Sequence, residues 1–158
     1  MIEKISVKQK TLAAEVSLKG VGLHTGKNVT LTFKPAPSNT GFTFVRVDLE
    51  GHPAIEADAQ YVNNTQRGTN LEKRGVKIQT SEHILAALVG MDIDNAIIEL
   101  DASEPPIMDG SAKYFVEAIE KVGIQEQEAC REEYEVTEVV SFTDEESGSE
   151  ILMMPAEN

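Results

Sequence analysis

Turn signals divide this chain into short segments, and they constrain its fold more than any other feature of the sequence. Glycines interrupt residues 20–22, and residues 35–41 (PAPSNTG) concentrate the residue types that favour turns. Between them, residues 29–34 alternate apolar and polar side chains, the two-residue period of a half-buried strand. Residues 42–45 resume an extended segment, for which we expect antiparallel pairing with the strand before the turn. The first part of the chain therefore predicts short strands, followed by a polar loop over residues 61–75.

Two later segments have the pattern of short helices. Residues 81–89 (SEHILAALV) place apolar side chains along one stripe. Their first residue or Thr80 is the expected cap, and Gly90 is the expected left-handed stop. A second helical pattern covers residues 109–122, and a short apolar strand over residues 95–100 lies between the two. The sequence thus predicts an α+β fold, a two-layer domain in which a mixed sheet is covered by two helices.

The end of the chain has a different character. Residues 126–133 are polar and charged, which is typical of a linker, and two short apolar segments then flank an acidic turn. A single hairpin is only marginally stable by itself. We therefore predict an N-terminal domain over residues 1–125, a linker over 126–133, and the truncated start of a second, similar domain over 134–158.

Composition limits the classes of protein to which the chain can belong. Its 158 residues are 41% hydrophobic, which is typical of a globular domain. No run approaches the ~20 apolar residues of a membrane span, and the first residues lack the apolar core of a signal peptide. The single cysteine, Cys130, fits a reducing compartment. We expect a soluble cytoplasmic protein without a transmembrane segment.

Charge is distributed unevenly along the chain. Through position 81 the sequence has 11 basic and 7 acidic residues, and the remainder has 3 basic and 20 acidic residues, for a net charge of -13. Such an acidic second half would repel nucleic acid, so we expect no nucleic-acid partner. The more basic first half leaves room for an anionic small molecule.

Glu82 and His83 are the most informative candidates for a catalytic site. A neutral imidazole can bind zinc, and an adjacent carboxylate can accept a proton from a metal-bound water. On these residues alone an alternative stays open, in which Glu82 serves only the helix dipole and His83 is structural. The other histidines are His24 and His52. His24 lies between glycines, where a turn residue with a hydrogen-bonded side chain is the better interpretation. His52 precedes Pro53 in a polar loop, and we expect no functional role for it.

Four motifs together carry a family resemblance. They are GVGLHTGK at 20–27, KPAPSNTG at 34–41, TSEHILAALVGMDIDNAIIEL at 80–100 and EPPIMDGSAKYFV at 104–116. In this order and spacing they resemble the N-terminal domain of the zinc-dependent UDP-3-O-acyl-N-acetylglucosamine deacetylases of lipid A synthesis. The segments SVKQKTL and VDLEGHPAIEAD are most similar to the form that is fused to a beta-hydroxyacyl-ACP dehydratase.

The resemblance implies an amide hydrolase that removes acetate from UDP-3-O-acyl-N-acetylglucosamine. By motif position, Glu82 matches the general base and His83 matches one ligand of a single zinc ion. The remaining zinc ligands of the family, a histidine and an aspartate, lie in the second domain, which this chain does not contain. We therefore expect the chain to need a missing C-terminal domain as its partner, and to be inactive alone.

A non-catalytic binding or interaction module of the same fold is the alternative function. It is suggested by the absence of two ligands and by the acidic second half, which could face a basic partner. The reading frame beyond Asn158 distinguishes the two hypotheses. A second α+β domain with a His-x-x-x-Asp pair favours the enzyme, whereas a stop codon favours the module.

Overall fold

A computed structural model describes residues 7–132 and 135–156, which form a mixed α+β structure. The helices are α1 (Glu82–Gly90) and α2 (Lys113–Val122), and a 3-10 turn covers Ala59–Tyr61. The strands are β1 (Lys8–Leu12), β2 (Val16–Val21), β3 (Asn28–Pro35), β4 (Phe42–Arg46), β5 (Ala54–Glu56), β6 (Val62–Asn64), β7 (Asn70–Lys73), β8 (Val76–Ile78), β9 (Ala96–Leu100), β10 (Ile124–Cys130), β11 (Val140–Thr143) and β12 (Glu150–Met153). Across these residues, neither helix has the length and apolarity needed to cross a membrane.

The main sheet is mixed and has five strands in the order β2-β3-β9-β4-β5. The expected antiparallel pair of β3 and β4 is wrong, because β9 lies between them, antiparallel to β3 and parallel to β4. Every second side chain of β9 (Ala96, Ile98 and Leu100) is fully buried. In this central position the apolar strand β9 is hydrogen-bonded along both of its edges. The turn between β3 and β4 does not by itself decide which strands pair.

The alternation in β3 places one face of the sheet in the hydrophobic core, as predicted. Val29, Leu31 and Phe33 are buried, and the Phe33 ring packs edge-on against Phe115 of α2 with 6.3 Å between ring centroids. Helix α1 contributes to the same core. Its buried side chains are Ile84, Ala87 and Leu88. The apolar stripe predicted for α1 therefore faces the core that the sheet and α2 share.

The polar segment over residues 61–75, which was expected to be a loop, contains two additional strands. Residues 61–75 contain β6 and β7, which form a three-stranded antiparallel sheet with β8. Only Leu71 in these two strands is fully buried. A strand with one buried side chain has no readable two-residue period, which explains why the sequence pattern missed it.

The predicted linker is also partly wrong, because β10 pairs antiparallel with β1 from Ile124 to Cys130. Its side chains are mainly exposed, so the strand has a polar sequence although its backbone is paired. Arg131, the next residue, donates from Nε to Asp94 Oδ1 at 2.6 Å and holds the end of this segment against the turn before β9. The segment through residue 131 is thus attached to β1 and to the turn before β9. Residues 133 and 134, where the predicted boundary falls, lie outside the described residues.

The helix ends differ from the expected ones. Gly90 belongs to α1, and the left-handed conformation comes at Asp92, with a φ of 60°. Helix α2 begins at Lys113, not at Asp109. The Asp109 carboxylate accepts hydrogen bonds from the N–H and hydroxyl of Ser111, so Asp109 is a turn residue before the helix. Gly123, with a φ of 80°, ends α2 as expected.

Strands β11 and β12 form the predicted hairpin near the end of the chain. Their register runs from Val140 opposite Met153 to Thr143 opposite Glu150. All eight residues are exposed, and Phe142 has 64% of its surface accessible. The start of a second domain remains a prediction, since the described part of the chain contains only this hairpin of it.

A neighbouring pair of residues in β9 tests the assignment of the buried face. Ile98 is fully buried and Ile97 is only partly buried. We expect Ile98→Val to lower the free energy of unfolding by about 0.5–1.5 kcal/mol, because it removes a methylene group from a packed core. Ile97→Val, the matched control, should cost less. Equal losses in urea unfolding would contradict the proposed orientation of β9.

Candidate active site

Glu82 and His83 occupy the first turn of α1, and both are half-buried. The backbone N–H of Thr69, just before β7, donates to Glu82 Oε2 at 2.8 Å. This bond ties the carboxylate to a neighbouring loop. The structure therefore gives Glu82 a defined position at the N-terminus of a helix, where negative charge is favoured.

The loop before β7 approaches this carboxylate closely at Gly68. A Cβ atom built on Gly68 would lie 3.2 Å from Glu82 Oε1, tighter than ordinary van der Waals contact. The φ of Gly68 is 153°, a conformation that side chains rarely adopt. Glycine at this position therefore allows the loop backbone to lie close to the Glu82 carboxylate.

The two residues before Glu82 do not cap α1 with their side chains, contrary to the expectation. The Ser81 hydroxyl donates to the Thr69 carbonyl oxygen at 2.9 Å, and the Ser81 N–H donates to the same oxygen at 3.1 Å. The buried Thr80 has a φ of 52°, and its N–H donates to Asn70 Oδ1 at 3.2 Å. Both residues connect the start of the helix to residues 69–70.

Glu104, which we did not single out from the sequence, is fully buried behind this site. Its carboxylate accepts from the N–H of Thr25 at 2.8 Å, from the N–H of His24 at 3.0 and 3.1 Å, and from the Thr80 hydroxyl at 3.1 Å. Burial, the largest single influence, raises the pKa of Glu104. The hydrogen bonds from Thr25 and His24 outweigh it, so the pKa lies below its ordinary value. The available signal was an acidic residue inside the EPPIMDGS motif.

His24 lies on the exposed side of the loop that Glu104 holds. Its Nε2 atom is 3.2 Å from the carbonyl oxygen of Arg67. The histidine thus connects residues 20–27 with the loop that reaches Glu82. This contact agrees with the expected structural role of His24. The Glu104 carboxylate, which lies in one of the four sequence motifs, joins two others through His24 and Thr80.

The lowered pKa of Glu104 predicts an acid-sensitive contribution to stability. A carboxylate with a lowered folded-state pKa stabilises the fold above its unfolded pKa, near 4.5. This stabilisation is lost as the pH falls through the folded-state value. We therefore expect the stability difference between wild type and Glu104→Gln to be largest at neutral pH, and to shrink below about pH 4.5. Urea unfolding across this range measures it, with the exposed Glu117→Gln as control. A difference that is independent of pH would contradict the assignment.

Glu82 and His83 do not form a complete metal site by themselves. Over residues 7–132 and 135–156, the structure gathers no group of three His, Cys, Asp or Glu side chains that could hold a metal ion. A catalytic zinc takes three protein ligands and leaves one position open. The imidazole of His83 is suitable as one of them, so this donor set fits only part of a zinc site. Cys130 is exposed at the end of β10 and lies in a different part of the fold.

Comparison with known proteins gives a consistent family assignment. Residues 9–158 match the family model described as UDP-3-O-acyl N-acetylglycosamine deacetylase (LpxC). The bifunctional enzyme LpxC/FabZ of Bacteroides thetaiotaomicron is 50% identical over 152 residues, which are 96% of this chain and 33% of that protein. The UDP-3-O-acyl-N-acetylglucosamine deacetylase of Myxococcus xanthus is 49% identical over 139 residues, which are 88% of this chain and 44% of that protein.

The match extends over nearly the whole chain but over only part of each relative. The chain spans about a third of the bifunctional enzyme and less than half of the Myxococcus deacetylase. The family model, in contrast, covers all four motifs and both helices. This chain therefore belongs to the UDP-3-O-acyl N-acetylglycosamine deacetylase (LpxC) family.

Proposed function

We propose that this chain is the N-terminal portion of a zinc-dependent enzyme that removes acetate from UDP-3-O-acyl-N-acetylglucosamine in lipid A synthesis. The observation that carries the proposal is the position of Glu82 beside His83, with its carboxylate held by the Thr69 N–H. The relative from Myxococcus xanthus is named for this deacetylase activity. We place the reaction in the cytoplasm and assign the fold to two layers, the helices over the main sheet.

Glu82 is the proposed general base. A carboxylate in a fixed orientation can take a proton from the attacking water, and it can later return the proton to the leaving amine nitrogen. The products are acetate and a free amino group on the sugar. A bound zinc ion supplies the complementary chemistry, since it polarises the amide carbonyl and lowers the pKa of water to about 7.

His83 is the proposed zinc ligand of this chain. One imidazole does not hold a catalytic zinc, and the described residues contain no three-ligand group around it. The proposed enzyme therefore takes its other ligands from a C-terminal domain that follows this chain. The exposed hairpin β11–β12 is the proposed start of that domain.

The test compares this chain with a longer protein that continues along its reading frame. We expect the longer protein to bind zinc and to release acetate from UDP-3-O-acyl-N-acetylglucosamine. The 158-residue chain should bind zinc weakly and give no turnover. A zinc-loaded longer protein without deacetylase activity would overturn the proposed function. Tight, stoichiometric zinc and rapid turnover by the 158-residue chain would instead refute its incompleteness.

A further inference from the structure

We propose that Glu104 is a positioning residue for the Glu82 carboxylate. This inference rests on the proposed function, because Glu82 is the proposed base. Glu104 does not contact Glu82 in the hydrogen bonds of the described residues. Instead, two chains of contacts leave the Glu104 carboxylate and reach Glu82 from different sides. We call them the helix arm and the loop arm.

The helix arm runs through Thr80. Glu104 Oε1 accepts from the Thr80 hydroxyl at 3.1 Å, two residues before Glu82. Thr80 has a φ of 52°, in the left-handed region, where a β-branched residue is strained unless its surroundings hold it. Its N–H is also held, by Asn70 Oδ1. Glu104 therefore helps to fix the backbone conformation from which α1 starts.

The loop arm runs through His24. Both carboxylate oxygens of Glu104 accept from the His24 N–H, and His24 Nε2 lies 3.2 Å from the Arg67 carbonyl oxygen. Two residues beyond Arg67, the Thr69 N–H donates to Glu82 Oε2 at 2.8 Å. The arm thus connects Glu104 to the bond that orients the proposed base.

The loop closes tightly around Glu104. A Cβ atom built on Gly22 would lie 2.6 Å from Glu104 Oε2, so only glycine fits there without a rearrangement. Burial of an ionised carboxylate is costly unless hydrogen bonds compensate for it. The donors here are the N–H groups of His24 and Thr25 and the Thr80 hydroxyl, and two of them begin the two arms. Glu104 is therefore placed to hold both arms at once.

Glu104→Gln in the longer protein tests the effect on catalysis. Gln has the same shape, but an amino group replaces one of its two accepting oxygens. Because both oxygens of Glu104 accept from the His24 N–H, the amino group meets that N–H in either orientation of the amide, and the contact is repulsive. We expect kcat to fall by about tenfold to a hundredfold, because small displacements of a catalytic group are costly. KM should change by less than about twofold, because Glu104 is buried and binds no substrate. An unchanged kcat in the folded variant would overturn the proposal.

A second pair of variants separates positioning from a loss of folding. Thr80→Val removes only the hydroxyl donor of the helix arm, and Thr80→Ser keeps that donor. We expect Thr80→Val to lower kcat, and Thr80→Ser to restore most of the loss. If Glu104→Gln fails to fold, this pair decides the question. Equal kcat values for the two Thr80 variants would then count against the helix arm and overturn the role of Glu104.

Amide hydrogen exchange in the 158-residue chain gives a readout that does not depend on activity. We expect the Thr69 N–H to exchange faster in Glu104→Gln than in wild type, although Thr69 does not contact Glu104. Amides in the β3–β9 ladder serve as controls and should keep their rates, because they belong to a different opening unit. Unchanged exchange at Thr69 would overturn the loop arm. If the longer wild-type protein lacks deacetylase activity, the proposed function fails, and this experiment still decides the positioning role.

Discussion

Glu82→Gln in the proposed longer protein should lower kcat by about 10²–10⁴-fold while zinc stays bound. The side-chain amide has nearly the shape of the carboxylate, but it cannot accept a proton from the attacking water. The loss therefore measures general-base catalysis and not the binding of metal. Acetate release gives kcat, and metal analysis of the purified protein gives the zinc content.

Two further variants complete this experiment. His83→Ala should lose both zinc and turnover, because it removes a proposed ligand. Glu120→Gln makes the same chemical change at an exposed position on α2 and should keep the wild-type kcat. A Glu82→Gln protein with more than about a tenth of the wild-type kcat would exclude Glu82 as the general base.

Asn95→Ala is expected to destabilise the fold by about 1–3 kcal/mol. Asn95 is buried, and its Oδ1 accepts from the N–H of Thr40 at 2.8 Å and from the N–H of Gly41 at 2.9 Å. The substitution leaves these two donors without their acceptor. An unsatisfied buried group costs about 1–3 kcal/mol, and the total stays near this range because Thr40 is partly buried and Gly41 is exposed to water. This is a large fraction of the total stability of a typical domain, about 5–15 kcal/mol.

The amino group of the Asn95 side chain makes two further hydrogen bonds that Asn95→Ala also removes. Asn95 Nδ2 donates to Gln9 Oε1 at 2.9 Å and to Gln127 Oε1 at 2.8 Å, so the same side chain joins β1 and β10 to the loop before β4. Urea unfolding monitored by circular dichroism gives the loss of stability. Asn28→Ala, at an exposed position, should change the stability by less than about 0.5 kcal/mol. Comparable losses in the two variants would contradict the proposed role of the network.

The elements with strong local patterns were predictable from the sequence. The alternation around Phe33 and the apolar stripe of α1 both place their predicted faces in the core. The order of strands in the main sheet was not predictable. Strand β9 lies between β3 and β4 although it comes about 50 residues after β4 in the chain, and no local pattern indicates this position. The β10 strand was missed because its side chains are mostly exposed and its backbone pairing leaves no pattern in the sequence.

The candidate site was predictable only in part. Motif positions indicate Glu82 and His83 as functional residues, and the structure brings the Thr69 N–H to Glu82. The EPPIMDGS motif contains Glu104 but does not reveal its role, because its donors come from His24, Thr25 and Thr80, which are distant from it in sequence. A single buried carboxylate produces no periodic pattern of apolar and polar residues in the sequence. Its role depends on which backbone groups the fold places around it.

The pairing of β1 with β10 has a consequence for synthesis of the chain on the ribosome. Lys8 pairs with Cys130, so the first strand lacks its partner strand until about 120 further residues have been translated. Non-local pairing of this kind slows folding, because the entropy of closing a long loop opposes it. The nascent chain should therefore keep an unpaired strand edge for most of its synthesis. Chaperone binding or slow translation near residue 130 would protect that edge from aggregation.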